Sequence, residues 1–301
     1  MSSRLLGIDF TSAPTRRKPI TVARGTLTGR RLALQRVDAL DSFAAFEALL
    51  REPGPWLGAF DFPFGLPREL VEALDWPRDW QVLMRHYAAL PRATIRDTFA
   101  AFCAARPPGR KFAHRACDGP AGSSPSMKWI NPPVAFMLHA GVPRLIDAGM
   151  HLPGLHDGDD GRVGLEAYPG LLARELIGTR SYKSDDKARQ TPERLIARKD
   201  LLEALEQGRT RLGLRVAMSH AQRDALAADA SGDRLDALLC LVQAAWASGQ
   251  PGYGMPEGVD RMEGWIVSAD DRVALGRPQP LPSQSASALS HLTDDDRSGA
   301  S

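Results

Sequence analysis

The sequence predicts an α/β fold built on a mixed sheet, and three observations carry that reading. Three short segments of β texture open the chain and are joined by tight turns. A helix-periodic segment then separates them from a fourth, wholly apolar run. The first and fourth runs both end in an aspartate, so a parallel pairing would set Asp9 and Asp61 side by side at the carboxyl edge of the sheet. Open α/β sheets place their chemistry at that edge.

The elements follow in order. Leu5-Leu6-Gly7-Ile8-Asp9-Phe10 is an apolar run that leads into Thr11-Ser12-Ala13-Pro14, a buried strand entering a loop. Ile20 to Leu27 alternates as a second strand, Thr28-Gly29-Arg30 is a turn, and Arg31 to Val37 alternates again through Leu32, Leu34 and Val37. The three read as an antiparallel meander. Asp41-Ser42 can cap a helix whose Phe43, Phe46, Leu49 and Leu50 recur at helical spacing, and Pro53-Gly54-Pro55 ends it. Trp56 to Phe62 is the fourth strand.

Residues 75–160 change texture, with Trp76, Trp80, Trp129 and many prolines. They read as a partly helical insertion. Its segment Arg106 to Arg115 carries Arg106, Arg110, Lys111 and Arg115 and no acid, and either lines a cleft for an anion or forms a solvated basic face.

Gly161 to Glu166 restores the strand texture, and Leu171 to Ile177 is a short helix. Thr191-Pro192-Glu193 opens a longer helix with Leu195, Ile196, Leu201, Leu202 and Leu205 on its apolar face and Gly208 at its end. Ser231-Gly232-Asp233 opens the helix that holds Asp236, Leu238, Leu239, Val242 and Trp246. Gly264-Trp265-Ile266-Val267 is a last short strand or an edge contact. Residues 277–301 are rich in Pro, Ser, Ala and Asp and are expected to be a disordered tail, leaving a domain over 1–276.

Composition narrows the function. The 301 residues carry 38 Lys plus Arg against 36 Asp plus Glu, a net charge of +2, so any basic site must be local. The three cysteines, Cys103, Cys117 and Cys240, are too scattered for a disulfide framework or a zinc site, which fits a reducing, cytoplasmic setting. The longest apolar stretch, Leu235 to Ala247, is broken by Asp236 and Gln243 and reads as a buried helix, so no membrane association is expected.

The chemistry lies with the acids. Asp9 and Asp61 end strands, Glu166 sits in a strand, and Asp233 and Asp236 lie three residues apart on one helix face. Taken singly, Asp9 and Asp61 can be turn residues, and Asp233 can complement the helix dipole. Asp236 lies amid leucines, where a bare carboxylate is costly unless it is paired or bound to metal. Together the set suits a hard divalent cation, Mg²⁺ or Mn²⁺, which takes carboxylate oxygens. His151 and His156 fall in a Pro/Gly/Asp-rich loop and are expected to face solvent.

Gly7-Ile8-Asp9-Phe10, Ala59-Phe60-Asp61-Phe62-Pro63-Phe64-Gly65-Leu66-Pro67, Glu166-Ala167-Tyr168-Pro169 and Asp233-Arg234-Leu235-Asp236-Ala237, in that order, resemble the family catalogued as domain of unknown function 429. That resemblance covers most of residues 4 to 268. It implies a ribonuclease H-like fold akin to Holliday-junction resolvases, with three antiparallel strands first and a metal site from Asp9, Asp61, Asp233 and Asp236. The expected activity is metal-dependent hydrolysis of phosphodiester bonds in nucleic acid. Asp9, Asp61 and Asp236 are then catalytic, Glu166 is an additional ligand or base, and Arg115, Lys128, Lys183 and Lys187 are candidate phosphate contacts.

Two rival readings stand beside it. An actin-like sugar kinase or ATPase shares such a core, but Asp9 is followed by Phe10-Thr11-Ser12-Ala13-Pro14 rather than a glycine-rich phosphate loop. A non-catalytic binding module on the same fold is the other. Neither a P-loop nor a Gly-x-Ser-x-Gly elbow is present.

Overall fold

The computed structural model describes residues 4–269, so the tail expected at 277–301 lies outside the described residues. A seven-stranded mixed sheet is flanked by helices on both faces. Its strands are β1 (Arg4–Asp9), β2 (Ile20–Thr28), β3 (Arg31–Leu40), β4 (Trp56–Phe60), β5 (Met150–His151), β6 (Asp159–Glu166) and β7 (Arg215–Ala217), in the order β5-β6-β4-β1-β2-β3-β7. β1, β2 and β3 form the expected antiparallel meander. β4 lies parallel to β1, with Gly7 beside Ala59 and Ile8 beside Phe60, and β6 lies parallel to β4. The carboxyl ends of β1, β4 and β6 therefore share one edge.

Strand residues alternate between two faces. Leu5, Leu57, Ala59, Val163 and Leu165 join one core with α7 (Pro169–Ile177), α8 (Pro192–Gln207), α9 (His220–Ala228) and α10 (Asp233–Ala247). Leu6, Ile8, Trp56 and Phe60 join another with α1 (Phe43–Leu50), α2 (Arg68–Ala73), α3 (Trp80–Ala89), α4 (Arg92–Ala104) and α6 (Val134–Asp147). Residues 75–160 supply α3, α4, the short α5 (Asp118–Ala121), α6 and β5, and most of their apolar side chains complete this second core. Their basic segment is no shared surface: Arg106 bonds Glu69, Arg110 and Lys111 are exposed, and Arg115 is buried.

α10 is the most buried helix and crosses β1 at Gly7. A Cβ there would come within 2.1 Å of the Ala237 carbonyl and the Leu241 amide. Only glycine permits this approach, which brings the first turn of α10 over the carboxyl end of β1. That helix begins at Gly232, in the left-handed region (φ 80°), and Ser231 bonds Asp229 instead of capping it. Gly264 to Val267 makes an edge contact, a single parallel bridge between Ile266 and Glu166. β7 and α9, unforeseen in the sequence, extend the sheet's far edge and cover it; α9 carries a reciprocal cap between Ser219 and Gln222. Among the described residues no helix is long and apolar enough to cross a membrane.

Candidate active site

Three elements bring the acids together. The Asp61 amide donates to the Ile8 carbonyl at 2.9 Å and so extends the β1–β4 ladder by one residue. Asp9 and Asp61 thus end adjacent strands, whose backbones run about 4.8 Å apart. Asp9 shares the face of Leu5 and Gly7, and Asp61 that of Leu57 and Ala59; this is the face on which α10 packs. Asp236 enters from α10 with no exposure, and Asp233 lies one turn before it.

The two helix acids have partners. One oxygen of Asp236 accepts the Tyr182 hydroxyl and the other accepts the Lys183 ammonium. Asp233 accepts the Lys18 ammonium at 2.8 Å, and Lys18 also reaches Asp185 at 2.9 Å. Burial opposes the charge on Lys18, but Asp233 and Asp185 outweigh it and raise its proton affinity. The same contest at Lys183 is won by Asp236, with Tyr182, Asp9 and Asp61 behind it.

The two strand acids differ. Among the described residues no hydrogen bond or ion pair reaches the carboxylate of Asp9 or Asp61. Burial, then Asp236, Asp233 and Asp61, push the Asp9 carboxyl well above its ordinary range. Burial and Asp236 push Asp61 up to about 7, against the pull of Lys183. The charges explain why: four carboxylates (Asp9, Asp61, Asp233, Asp236) face two ammonium groups (Lys18, Lys183), and Lys18 is shared with Asp185, so negative charge is in excess when all are ionised. Protons or a divalent cation would offset that excess.

Beside Asp61 lies a cleft of about 220 Å³, lined also by Tyr168, Gly170, Arg174, Arg180, Tyr182 and Lys183. Its cations and aromatic rings surround a carboxylate, an environment suited to an anion bearing flat groups.

Two expected site residues belong elsewhere. Glu166 follows Leu165 by one position and so points to the opposite face of the sheet from Asp9 and Asp61. There it takes both Arg115 Nη groups at 2.7 Å and the Phe64 amide at 2.9 Å, so both of its oxygens are engaged in an ion pair away from Asp9. Arg115, expected on a phosphate, is 3% exposed and bound to Glu166 and Asp118. Lys183 is on the site, but its ammonium rests on Asp236. Lys128 is half-buried in the loop before α6, and Lys187 is exposed on a 3-10 turn of the loop that carries Lys183. His151 and His156 are partly buried, and His156 meets Gln81 and the Trp80 ring. Sequence reasoning passed over Lys18 and Tyr182. The signal for Tyr182 lay in Asp236 itself, since a buried acid requires donors.

Among the described residues no group of three or more His, Cys, Asp or Glu side chains stands arranged to hold a metal ion. Tyr182 and Lys183 engage both oxygens of Asp236. The donor set itself fits a hard divalent cation, for it is all carboxylate, two members lack partners, and negative charge is in excess. No known protein family, curated protein or solved structure matches the chain.

Proposed function

We propose that this chain hydrolyses phosphodiester bonds of nucleic acid with the aid of Mg²⁺ or Mn²⁺, on a ribonuclease H-like arrangement of its sheet and last helix. The observation that carries the reading is the uncompensated pair Asp9 and Asp61, at the ends of adjacent parallel strands and across from Asp236. Nothing in the core requires two partnerless carboxylates to sit beside a third. Their mutual repulsion is a standing cost that a bound cation removes.

Asp9, Asp61 and Asp236 would hold the ion, which would activate a water and stabilise the leaving oxygen. Asp233, held by Lys18, keeps the first turn of α10 anchored to the β1–β2 loop. Arg174, Arg180 and the rings of Tyr168 and Tyr182 offer the adjoining cleft to the substrate strand. Glu166 and Arg115 support the segment after Asp61 through the Phe64 amide and take no part in the chemistry.

The test is cleavage of a panel of single-stranded, duplex, hybrid and branched DNA and RNA with Mg²⁺ or Mn²⁺, and with EDTA. The expected result is metal-dependent cleavage that falls more than ~100-fold in Asp236→Asn, since that change removes a direct ligand. No cleavage of any substrate with either metal would overturn the reading, and ATP hydrolysis in the same samples would point to a phosphotransferase.

A further inference from the structure

Lys183 is held in place more firmly than a surface lysine needs to be. Its carbonyl accepts Arg194 Nη1 at 2.7 Å, the Tyr182 carbonyl before it accepts Arg198 Nη1 at 2.8 Å, and the Ser184 amide after it donates to the Ala230 carbonyl at 3.0 Å. Its stem runs across Gly232, where a Cβ would come within 2.6 Å of the Lys183 Cβ. Gly232 is thus required twice, by its positive φ and by the lysine lying on it. The side chain is 44% exposed along its length, yet its ammonium reaches an acid that has no exposure at all. It also lines the cleft beside Asp61.

We propose that Lys183 is the resident counter-cation of the acid site and that a divalent ion binds only as its ammonium leaves Asp236 and turns into the cleft. This rests on the metal-site reading above and adds its regulation. Both oxygens of Asp236 are engaged, so the lysine and the ion compete for one carboxylate. The backbone tethers fix where the stem starts and leave the four-carbon chain free to turn. The exposed part of that chain gives it somewhere to go. Once in the cleft, the same ammonium faces the place where a substrate phosphate would lie.

Two measurements without substrate test this. In the first, Mn²⁺ binding is followed by calorimetry for the parent, Lys183→Gln, Lys183→Arg and Asp236→Asn. Competition predicts that Lys183→Gln binds Mn²⁺ at least 10-fold more tightly than the parent. Lys183→Arg, which keeps a cation, stays within a few-fold of the parent, and Asp236→Asn does not bind. In the second, the parent alone is labelled with an amine-selective acylating reagent and the modified lysines are located by mass spectrometry. Labelling of Lys183 should rise several-fold on saturation with Mn²⁺, while Lys128 stays constant. This readout serves even if Lys183→Gln fails to fold. Unchanged or weaker Mn²⁺ binding in a folded Lys183→Gln, or Lys183 labelling that ignores Mn²⁺, overturns the competition and leaves the metal site standing. Absence of Mn²⁺ binding in every protein overturns both.

Discussion

The molecule contains two buried clusters rich in acids, one on each face of the sheet, and they are built on different principles. In the cluster of Arg115, Asp118, Glu166 and Glu263, the guanidinium directs all five N–H groups at acceptors: two at Asp118, two at Glu166 and one at the Glu263 carbonyl. The acids are filled in turn: Ser123 and the Arg115 amide bond Asp118, the Phe64 amide bonds Glu166, and the Arg68 and Ala116 amides bond Glu263. In the cluster of Asp9, Asp61, Asp233 and Asp236, two acids are paired to lysines and two are not. A closed cluster of this kind ties loops together. An open one carries repulsion that protons or a bound cation would relieve, and this contrast in pairing distinguishes the two clusters where residue types alone do not.

The sharpest way to break the comparison is to open the closed cluster. Arg115→Met strands Asp118 and Glu166 in the interior and should cost about 3–5 kcal/mol, the usual penalty for halving a buried ion pair. For a chain of this size that lowers Tm by roughly 10 °C. The Mn²⁺-induced rise in Tm should persist, because the open cluster is untouched; its loss in a folded Arg115→Met would mean that the two clusters act as one.

A smaller loss is expected from Gly7→Ala, about 1–3 kcal/mol, since the new methyl pushes α10 off β1. Here the Mn²⁺ response should vanish as well, because the displaced helix carries Asp236. Thermal melts with and without Mn²⁺ distinguish this double loss from the single loss of Arg115→Met.

The smallest effect sharpens the contrast through pH. Asp61 holds its proton up to about 7 in the fold, against 3.8 as the ordinary value. The folded chain therefore binds more protons than the unfolded one between about pH 4 and 7, and stability falls as pH rises through that window. Asp61→Asn removes this titration. Without metal it should gain of the order of 1–2 kcal/mol over the parent at pH 8 and little at pH 5. Glu166→Gln, in the closed cluster, should destabilise at both pH values. Urea titrations at pH 5 and pH 8 check the pair, and a flat difference for Asp61→Asn would remove the repulsion from the account.

The sequence carried the sheet further than the site. Hydrophobic alternation, the Thr28-Gly29-Arg30 turn and the proline-bounded run at Trp56 located β1 to β4, and the strand-final acids set Asp9 beside Asp61. α10 was legible because thirteen nearly unbroken apolar positions leave few alternatives. β7 escaped notice because three residues show no period, although Ser219 and Gln222 gave a visible start signal for α9. Glu166 was assigned to the site from its place in a strand and from the family motif that Glu166-Ala167-Tyr168-Pro169 resembles. One residue of register decided otherwise, since a single step along a strand reverses the face. Arg115 looked like a surface cation within a basic run, and its acceptors (the Asp118 and Glu166 carboxylates and the Glu263 carbonyl) lie 3, 51 and 148 positions away. No local pattern encodes such distant pairings. Asp236 announced that it needed a partner; that the partners are Tyr182 and Lys183 depends on how the α7–α8 loop folds back over Gly232.

β1 lies near the middle of the sheet, with a ladder on either side and a core against each face. Its amides, and the Asp61 amide that donates to Ile8, have no route to solvent short of separating both layers from the sheet. In native-state hydrogen exchange they should be among the last to exchange, by global unfolding alone, while the Lys183–Ser184 amides exchange through local opening. The floor of the acid site thus belongs to the slowest-opening part of the molecule and its rim to a faster one. The loop can open and close on its own timescale while the spacing of Asp9 and Asp61 stays fixed for as long as the chain remains folded.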